Sequence, residues 1–365
     1  MRAKTLDQVT AGVERACRTV SGVVELERAV CASLREAVPF DAWCALTVDP
    51  GSVLPTGGWH REGLPLEYMN PMLEIEAGGQ DALALPTLAR SCRRAMTLTA
   101  ATGGHPERSR HYREILVPAG MTREMRVLFG DNASVWGALV LFRSADAPDF
   151  ADADAQLIGD ATISVATAIR REMVLTEITA DDAATGPGLV LLDRDLHPTT
   201  MSSAAARWLT QVDDGIDPHR ELPFCVLTLA HRAWSRPGPA RNRIRSRTGR
   251  WLTLHAEQLP GAADQVSIII EAARPVEIAA LIADTYRLTS RERDVVGLLA
   301  RGFARTEIAR LLTVSAYTVD DHIKRVFGKL EVRSRAELTA KLFFDQHLPR
   351  IENEVPIGGT GWFLR

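Results

Sequence analysis

The sequence predicts an α+β protein that ends in a separate, all-α module of four short helices. Three observations predict it. Up to Glu271, β-rich runs alternate with amphipathic helical runs. From Leu288 onward only the helical period remains. Charge changes sign at the same place: residues Leu288 to Arg350 hold 12 Lys/Arg against 8 Asp/Glu, a net of +4, and the remainder holds 31 basic against 38 acidic residues, a net of −7. A basic end on an acidic body suggests that only the C-terminal module meets a polyanion. A solvated charged face is the plainer reading of the same count.

At 365 residues the chain has room for two or three domains, each burying a core of its own. With 46% hydrophobic and 24% charged residues it reads as an ordinary globular chain, not a disordered one. No run approaches the roughly 20 apolar residues of a membrane span, and the first helix is charged, so a cytoplasmic protein is expected. Cys17, Cys31, Cys44, Cys92 and Cys225 are scattered and never spaced Cys-x-x-Cys, which fits reduced thiols and argues against a zinc site. Lysine is scarce: of 43 basic residues only Lys4, Lys324, Lys329 and Lys341 are lysines. That excludes a Gly-Lys-Ser/Thr phosphate loop and an internal Schiff-base lysine, and leaves a phosphoacceptor receiver hard to place. No cofactor is expected.

The elements follow in order. Val23, Leu26, Val30 and Leu34 mark a helix, and Trp43–Val48 a strand. Gly- and Pro-rich turns come next, then a polar loop over Thr102–Arg110. Strands at Glu124–Phe129 and Val135–Phe142 are joined by the turn Gly130-Asp131-Asn132. Asp152–Val174 is a long helix with Leu157, Ala161, Val165, Ala168 and Ile169 on one stripe, its early acids Asp152, Asp154 and Asp160 serving as caps and solvated charge. Thr179–Pro187 is a linker. Gly188–Asp193 is a buried strand and Ser202–Val212 a short helix. Arg241, Arg243, Arg245 and Arg247 share one face of a further strand, and Trp251–Glu257 and Gln265–Glu271 are two more. Pro275–Tyr286 is a connecting helix. The expected domains are 1–178, 186–273, a linker helix over 274–287, the basic module over 288–350, and a tail over 351–365 in which Trp362-Phe363 could dock.

Inside the basic module, Thr289-x-x-Glu292 is a capping box that opens a helix, and Gly302 closes it. Thr306–Leu312 is a second helix. Leu312-Thr313-Val314-Ser315 is a tight turn, with Ser315 the N-cap of the third. Val319, Ile323, Val326, Phe327 and Leu330 make that helix's apolar stripe, and Tyr317, Asp320, Asp321, Lys324 and Arg325 its outer face. Ser334-x-x-Glu337 caps a fourth helix through Leu338, Leu342 and Phe343. Two helices crossing at a tight turn define a helix-turn-helix.

The residues Leu288-Thr289-Ser290-Arg291-Glu292-Arg293, Gly302, Glu307-Ile308-Ala309, Ser315, Thr318-Val319, His322, Lys329-Leu330, Val332 and Ser334-Arg335-Ala336-Glu337-Leu338 together resemble the LuxR-type helix-turn-helix of bacterial transcription regulators. Tyr317-Thr318-Val319 with Asp321-His322 and Lys324 resembles a subgroup found in multidomain actinobacterial-type regulators. The resemblance implies a DNA-binding regulator, and its roles carry over by position. Lys324 would enter the major groove and donate to guanine or phosphate. Asp320 and Asp321 would either read cytosines or sit as first-turn charges favoured by the helix dipole. Arg305, Thr306, Ser315, Thr318, Arg325, Lys329 and Arg335 would clamp phosphates, with Tyr317 on the same outer face. His322 falls beside the apolar stripe as a packing residue. Thr313 stands where the family often has glycine.

Trp136–Leu141 with the helix after it resembles the end of a GAF-type domain. Gly188–Asp193, Ser203–Leu209 and Thr248–Leu254 resemble a PAS domain, although Met201 or Ser202 replaces its usual asparagine. These likenesses imply an α+β architecture of a GAF-like domain, a PAS-like domain and the helix-turn-helix. Trp43, Cys44, Trp59 and Tyr68, with His60, either line an N-terminal ligand pocket or are core and rim residues. The seven arginines of Arg232–Arg250 either touch DNA or an anionic ligand or form a solvated strand face. Met121, Met125 and Met173 read as core or dimer packing. The function implied is a sequence-specific DNA-binding regulator: a homodimer on double-stranded DNA, responding to an unidentified small-molecule effector, with no membrane partner. The rivals are an enzyme or ligand-binding protein with an appended nucleic-acid module, and a helix-turn-helix used only for protein contacts. No nucleophile–base pair or metal-spaced cluster favours an enzyme.

Overall fold

The computed structural model describes residues 2–91, 93–131, 134–175, 186–212, 222–259 and 264–344. The expected linker from 179 to 185, Cys92, Asn132 and the tail over 351–365 lie outside the described residues. By contacts the chain forms two compact units, Met1–Thr176 with Thr185–Ala272, and Glu177–Ala184 with Ala273–Arg365. Among the described residues no helix is long and apolar enough to cross a membrane. Cys17, Cys31, Cys44 and Cys225 are buried and form no disulfide among the described residues.

The first unit begins with α1 (Arg2–Thr19) and α2 (Val23–Arg35), followed by the hairpin of β1 (Ala42–Val48) and β2 (Pro55–Glu62). Then come α3 (Met69–Gly78), α4 (Leu85–Arg90), β3 (Ala95–Thr97), α5 (Leu98–Ala101), β4 (Arg123–Gly130), β5 (Val135–Arg143) and α6 (Asp152–Leu175). The strands form an antiparallel sheet in the order β2-β1-β5-β4-β3. Every residue of β1 and β5 is buried, because helices cover both faces, and this is why those strands read as unbroken apolar runs. Trp43, Ala45 and Gly137 share the face against α6, where a Cβ on Gly137 would stand 2.9 Å from Ile169 Cδ1. The buried stripe of α6 runs through Ile158, Thr162, Val165 and Ile169, with Leu157 and Ala161 only half-buried. Asp154 caps that helix as expected, accepting from the Ala151 amide at 3.0 Å. Met125 and Met173 are core, and Met121 packs against it.

A second antiparallel sheet, β7-β6-β10-β9-β8, belongs to the same unit. Its elements are β6 (Gly188–Leu192), β7 (Pro198–Met201), α7 (Ser203–Leu209), α8 (Phe224–Ser235), β8 (Ala240–Arg245), β9 (Trp251–Gln258) and β10 (Val266–Ala272). Ser202 caps α7 by accepting from the Ala205 amide at 3.2 Å. Helix α7 lies so close on β6 that a Cβ on Gly188 would fall 2.5 Å from Ala205 Cα, which no side chain permits. On the sheet's covered face, Val190, Leu192, Val266, Ile268 and Ile270 are buried, whereas Leu189 and Ile269, paired across strands, are exposed on the other.

Helix α8 joins the two sheets. Phe224, Cys225, Val226, Leu227, Leu229, Ala230 and Ala233 are all buried, and one hydrophobic core runs through α8 from Cys44, Leu46, Val140 and Phe142 to Ile268 and Ile270. Beside it the β1–β2 turn is tied to β8 by polar contacts. The Asp49 carboxylate, 4% exposed, accepts from the Gly51 amide at 2.8 Å, from the Arg243 amide and Nε at 3.0 Å each, and from Arg243 Nη2 at 2.6 Å. Buried Asn242 donates to the Pro55 carbonyl at 2.6 Å and accepts from the Ser52 hydroxyl at 3.0 Å. Arg245 donates to the Glu172 and Gly249 carbonyls, and burial pulls its pKa down to about 10. The Arg243 and Arg245 side chains are therefore used inside the unit, Arg243 on the Asp49 carboxylate and Arg245 on two carbonyls. Breaking a buried ion pair costs about 3–5 kcal/mol. Asp49→Ala is accordingly expected to lower unfolding free energy by about 3 kcal/mol in denaturant titration, and Arg243→Met in the Asp49→Ala background to add little.

Candidate nucleic-acid interface

The second unit carries α9 (Pro275–Thr285), α10 (Ser290–Ala300), α11 (Arg305–Leu311), α12 (Ala316–Leu330) and α13 (Arg335–Thr339), the last running into a π-helical turn over Ala340–Phe344. The expected caps are in place. Thr289 Oγ1 accepts from the Glu292 amide at 3.3 Å, and the Thr289 amide donates back to Glu292 Oε2 at 2.7 Å. Gly302, at φ 99°, ends α10, its amide donating to the Leu299 carbonyl. Ser315 caps α12 by accepting from the Thr318 amide at 3.0 Å. Ser334 caps α13 by accepting from the Glu337 amide at 3.1 Å.

The turn between α11 and α12 needs a left-handed residue, and Thr313 supplies it at φ 55°. Glycine would sit there without strain, whereas a β-branched residue costs about 1–2 kcal/mol. The turn holds because the Val314 amide donates to the Ala309 carbonyl at 3.0 Å and the Thr313 amide to that of Arg310 at 3.3 Å.

Helix α12 is two-sided. Val319, Val326 and Leu330 are buried, and Ile323 and Phe327 are half-buried against α10 and α11. His322 is half-buried with its Nδ1 out of solvent, in keeping with a packing role. Outward, Tyr317 is 83% exposed, and Lys324 and Arg325 are exposed. Thr306 and Ser315 are exposed at the starts of α11 and α12, with Thr318 half-buried.

The carboxylates are not first-turn charges: the first turn of α12 holds no acid. Asp320 instead pairs with Arg305 across the two helices at 3.1 Å, and Asp321 with Arg325 one turn on at 2.7 Å. Two acids and two arginines neutralise each other, and Lys324 makes no ion pair among the described residues. Of the expected phosphate clamps, two are exposed and also bond within the domain. Lys329 Nζ donates to Glu292 Oε2 at 2.6 Å and to the Arg287 carbonyl at 3.1 Å. Arg335 Nη2 donates to the Leu299 carbonyl. Both bond to the body of the domain. Sequence spacing showed that they are basic and near the helix ends, but could not show which acceptor lies closer than solvent.

The residues expected to line an N-terminal pocket separate. Cys44 faces a cavity of about 30 Å³ in the first unit, lined also by Leu46, Met72, Leu85 and Phe224 and edged by Glu76 and Arg126. Trp43, one residue along the strand, points to the other face, where its indole donates to Glu62 at 3.2 Å and its ring lies 5.0 Å from His60. Tyr68 is half-buried in a short turn of helix, away from the cavity lining. The Trp59 side chain lies outside the described residues. Beside the cavity, Glu124 accepts from Arg126 at 2.6 Å and lies 3.1 Å from His111 Nδ1. Burial alone would raise the Glu124 pKa, but Arg126 and His111 outweigh it and hold the carboxyl at about 2.

Residues 286–342 match the family of bacterial regulatory proteins named for luxR, so the C-terminal helices are a LuxR-type helix-turn-helix. Over 77 residues the chain is 38% identical to the nitrate/nitrite response regulator protein NarL of Escherichia coli strain K12, covering 19% of this chain and 36% of NarL. It is 46% identical over 59 residues to NarP of the same organism (16% and 27%), and 41% identical over 54 to the monoamine regulon transcriptional regulator of Klebsiella aerogenes (15% and 24%). The chain thus spans well under half the length of these relatives. Solved structures that resemble it include Escherichia coli SdiA, at TM-score 0.34 and 11% identity over 93% of this chain and 94% of that one. A GAF domain/HD domain protein from Geobacter sulfurreducens gives TM-score 0.31 and 19% identity over 43% and 99%.

Burial pushes the Glu292 pKa up, but the Lys329 ammonium and Thr289 outweigh it and hold it below the usual carboxylate range. A depressed folded-state pKa stabilises the domain above the unfolded value of about 4.3 and stops doing so as pH falls through the folded value. Glu292→Gln is therefore expected to destabilise the domain at pH 7, with the difference from wild type shrinking as chemical denaturation is repeated from pH 5 down to about 3. A difference that stays constant over that range would contradict the assignment.

Proposed function

We propose that this chain is a sequence-specific DNA-binding transcription regulator, acting as a cytoplasmic homodimer whose first unit receives a small-molecule signal. The observation that carries the reading is the division of α12: one face buried among Val319, Val326 and Leu330, the other presenting Tyr317, Lys324 and Arg325. A helix of that kind fits the major groove, which admits one α-helix and displays guanine N7 and O6 as acceptors. Lys324 is the side chain on this face with no ion-pair partner among the described residues, so it is assigned to the base edge or the nearest phosphate. Arg325 and Arg305 can release their carboxylates to phosphate as the duplex arrives, and Tyr317, Thr306, Ser315 and Thr318 flank the backbone. Asp321, freed in the same exchange, can accept from cytosine N4, and Asp320 sits beside it.

The match of residues 286–342 to the LuxR family supports this reading, because the relatives it resembles are named as response regulators and as a transcriptional regulator. Lys329 ties the end of α12 to α10, and Arg335 ties α13 to α10. On this account Lys324→Ala leaves unfolding unchanged and weakens duplex binding about tenfold at matched salt, the loss of one base or phosphate contact. Lys329→Ala does the reverse in part: it destabilises the domain by about 2 kcal/mol by leaving the Glu292 carboxylate without a cation. Fluorescence anisotropy and denaturant titration on the same preparations separate the two. As a dimer the protein should protect two half-sites about one helical turn apart in footprinting. Protection of a single half-site by a species that sediments as a monomer would contradict it.

A further inference from the structure

An unneutralised arginine cluster stands where α8 meets the end of α3, inside the first unit and apart from the DNA-binding helices. Arg232, on α8, is half-buried, and its Nε and Nη2 are out of solvent with no hydrogen-bond partner. Arg236 follows at the helix C-cap and Arg90 ends α4, both exposed. Arg232 and Arg236 flank Gly79, the left-handed residue at φ 64° that closes α3, and Arg90 is linked to it through the Thr87 hydroxyl, which donates to the Gly79 carbonyl. A Cβ placed on Gly79 would stand 3.2 Å from Arg236 Nη2 and 3.9 Å from Arg232 Nη2. Because the residue is glycine, that point between two guanidinium groups is left unfilled.

Burial, then the charge of Arg236, pulls the Arg232 pKa down, with Arg90 adding to it and Glu76 opposing. Glu76 cannot serve as the counter-ion, since its carboxylate already accepts from Arg126 and from the Leu85 amide. Arg90 reaches only a neutral hydroxyl, Thr87 Oγ1, at 3.2 Å. The negative end of the α3 dipole faces the cluster and offsets part of the charge, but it leaves the two buried donors of Arg232 unmatched.

We propose that this cluster is a binding site for a small phosphoryl anion, with Arg232 and Arg236 closing on one oxygen beside Gly79 and Arg90 on another. Guanidinium forks suit phosphate because parallel N–H groups match its oxygens. Arg90 and Arg236 are exposed, so a free phosphate compound can reach them. Because Gly79 and Arg90 belong to the first sheet's helices and the other two arginines to α8, a bound anion would tighten the junction between the two sheets.

The test is isothermal titration of the full chain with inorganic phosphate, pyrophosphate and a nucleoside diphosphate, each at constant ionic strength against chloride. One site per chain is expected, with affinity falling at least about tenfold in Arg236→Gln and in Arg90→Gln, both at exposed positions, as removal of a charge-assisted contact should give. Lys324→Ala is expected to bind the anions as wild type does, which separates this site from the helix-turn-helix. Equal affinity for pyrophosphate and the nucleotide marks the phosphoryl group as the whole ligand; tighter nucleotide binding extends the site to a nucleotide. No heat beyond chloride, unchanged affinity in both arginine variants, or loss of binding in Lys324→Ala would overturn the proposal.

Discussion

The contact between the Lys329 ammonium and the Glu292 carboxylate sets how the C-terminal domain can work. Glu292 is already the reciprocal half of the cap that starts α10, and its side chain is nearly out of solvent. Drawing Lys329 onto it at 2.6 Å pins the last turn of α12 against the first turn of α10. With Val319, Val326 and Leu330 buried on the same side, the helix has one orientation in which to present its other face. Lys329, a cation expected at the duplex, is here bonded to a carboxylate of its own domain. The helix's outward charge is therefore smaller than its sequence suggests, and Lys324 carries more of it.

The same economy governs the first unit. Four donors converge on Asp49, and a neighbouring asparagine joins the β1–β2 turn to β8, so polar groups at the junction satisfy one another while α8 supplies the apolar core between the sheets. Arginine suits this work because its fork fills several acceptor positions at once. A chain with only four lysines relies on that property throughout. Where the arginines find acids or carbonyls they lock the structure. Around Gly79 they do not, and that difference is what marks the cluster as a place for an outside anion.

Much of the C-terminal domain was legible because its signals are local. The capping box at Thr289, the cap at Ser334, the stop at Gly302 and the stripe through Val319 and Leu330 each lie within a few residues and are found where expected, although Glu337 bonds back to the Arg333 amide and not to that of Ser334. The first unit was less legible. Helix α8 is buried nearly all round, so it shows no amphipathic period, and it begins after Pro223 with no side-chain cap. Strand β2 carries Gly57 and Gly58 and reads as turn. On α6 the stripe was placed one residue away from Ile158 and Thr162, because small alanines lie on both sides of it. The charged residues were hardest: what Arg243, Lys329 or Arg335 bonds to depends on acceptors far away in sequence, at Asp49, Glu292 and Leu299. Alternation along β1 separated Trp43 from Cys44, a consequence of strand geometry that the reading of both as one pocket passed over.

The central claim, that the outward face of α12 lies in the major groove, is tested most directly by dimethyl sulfate protection of a bound operator fragment. The reagent methylates guanine N7 in the major groove and adenine N3 in the minor groove. The account predicts protection of guanine N7 in each half-site, with the guanine opposite Lys324 losing protection when that lysine is truncated. Protection confined to adenine N3, or a guanine pattern indifferent to Lys324, would contradict it.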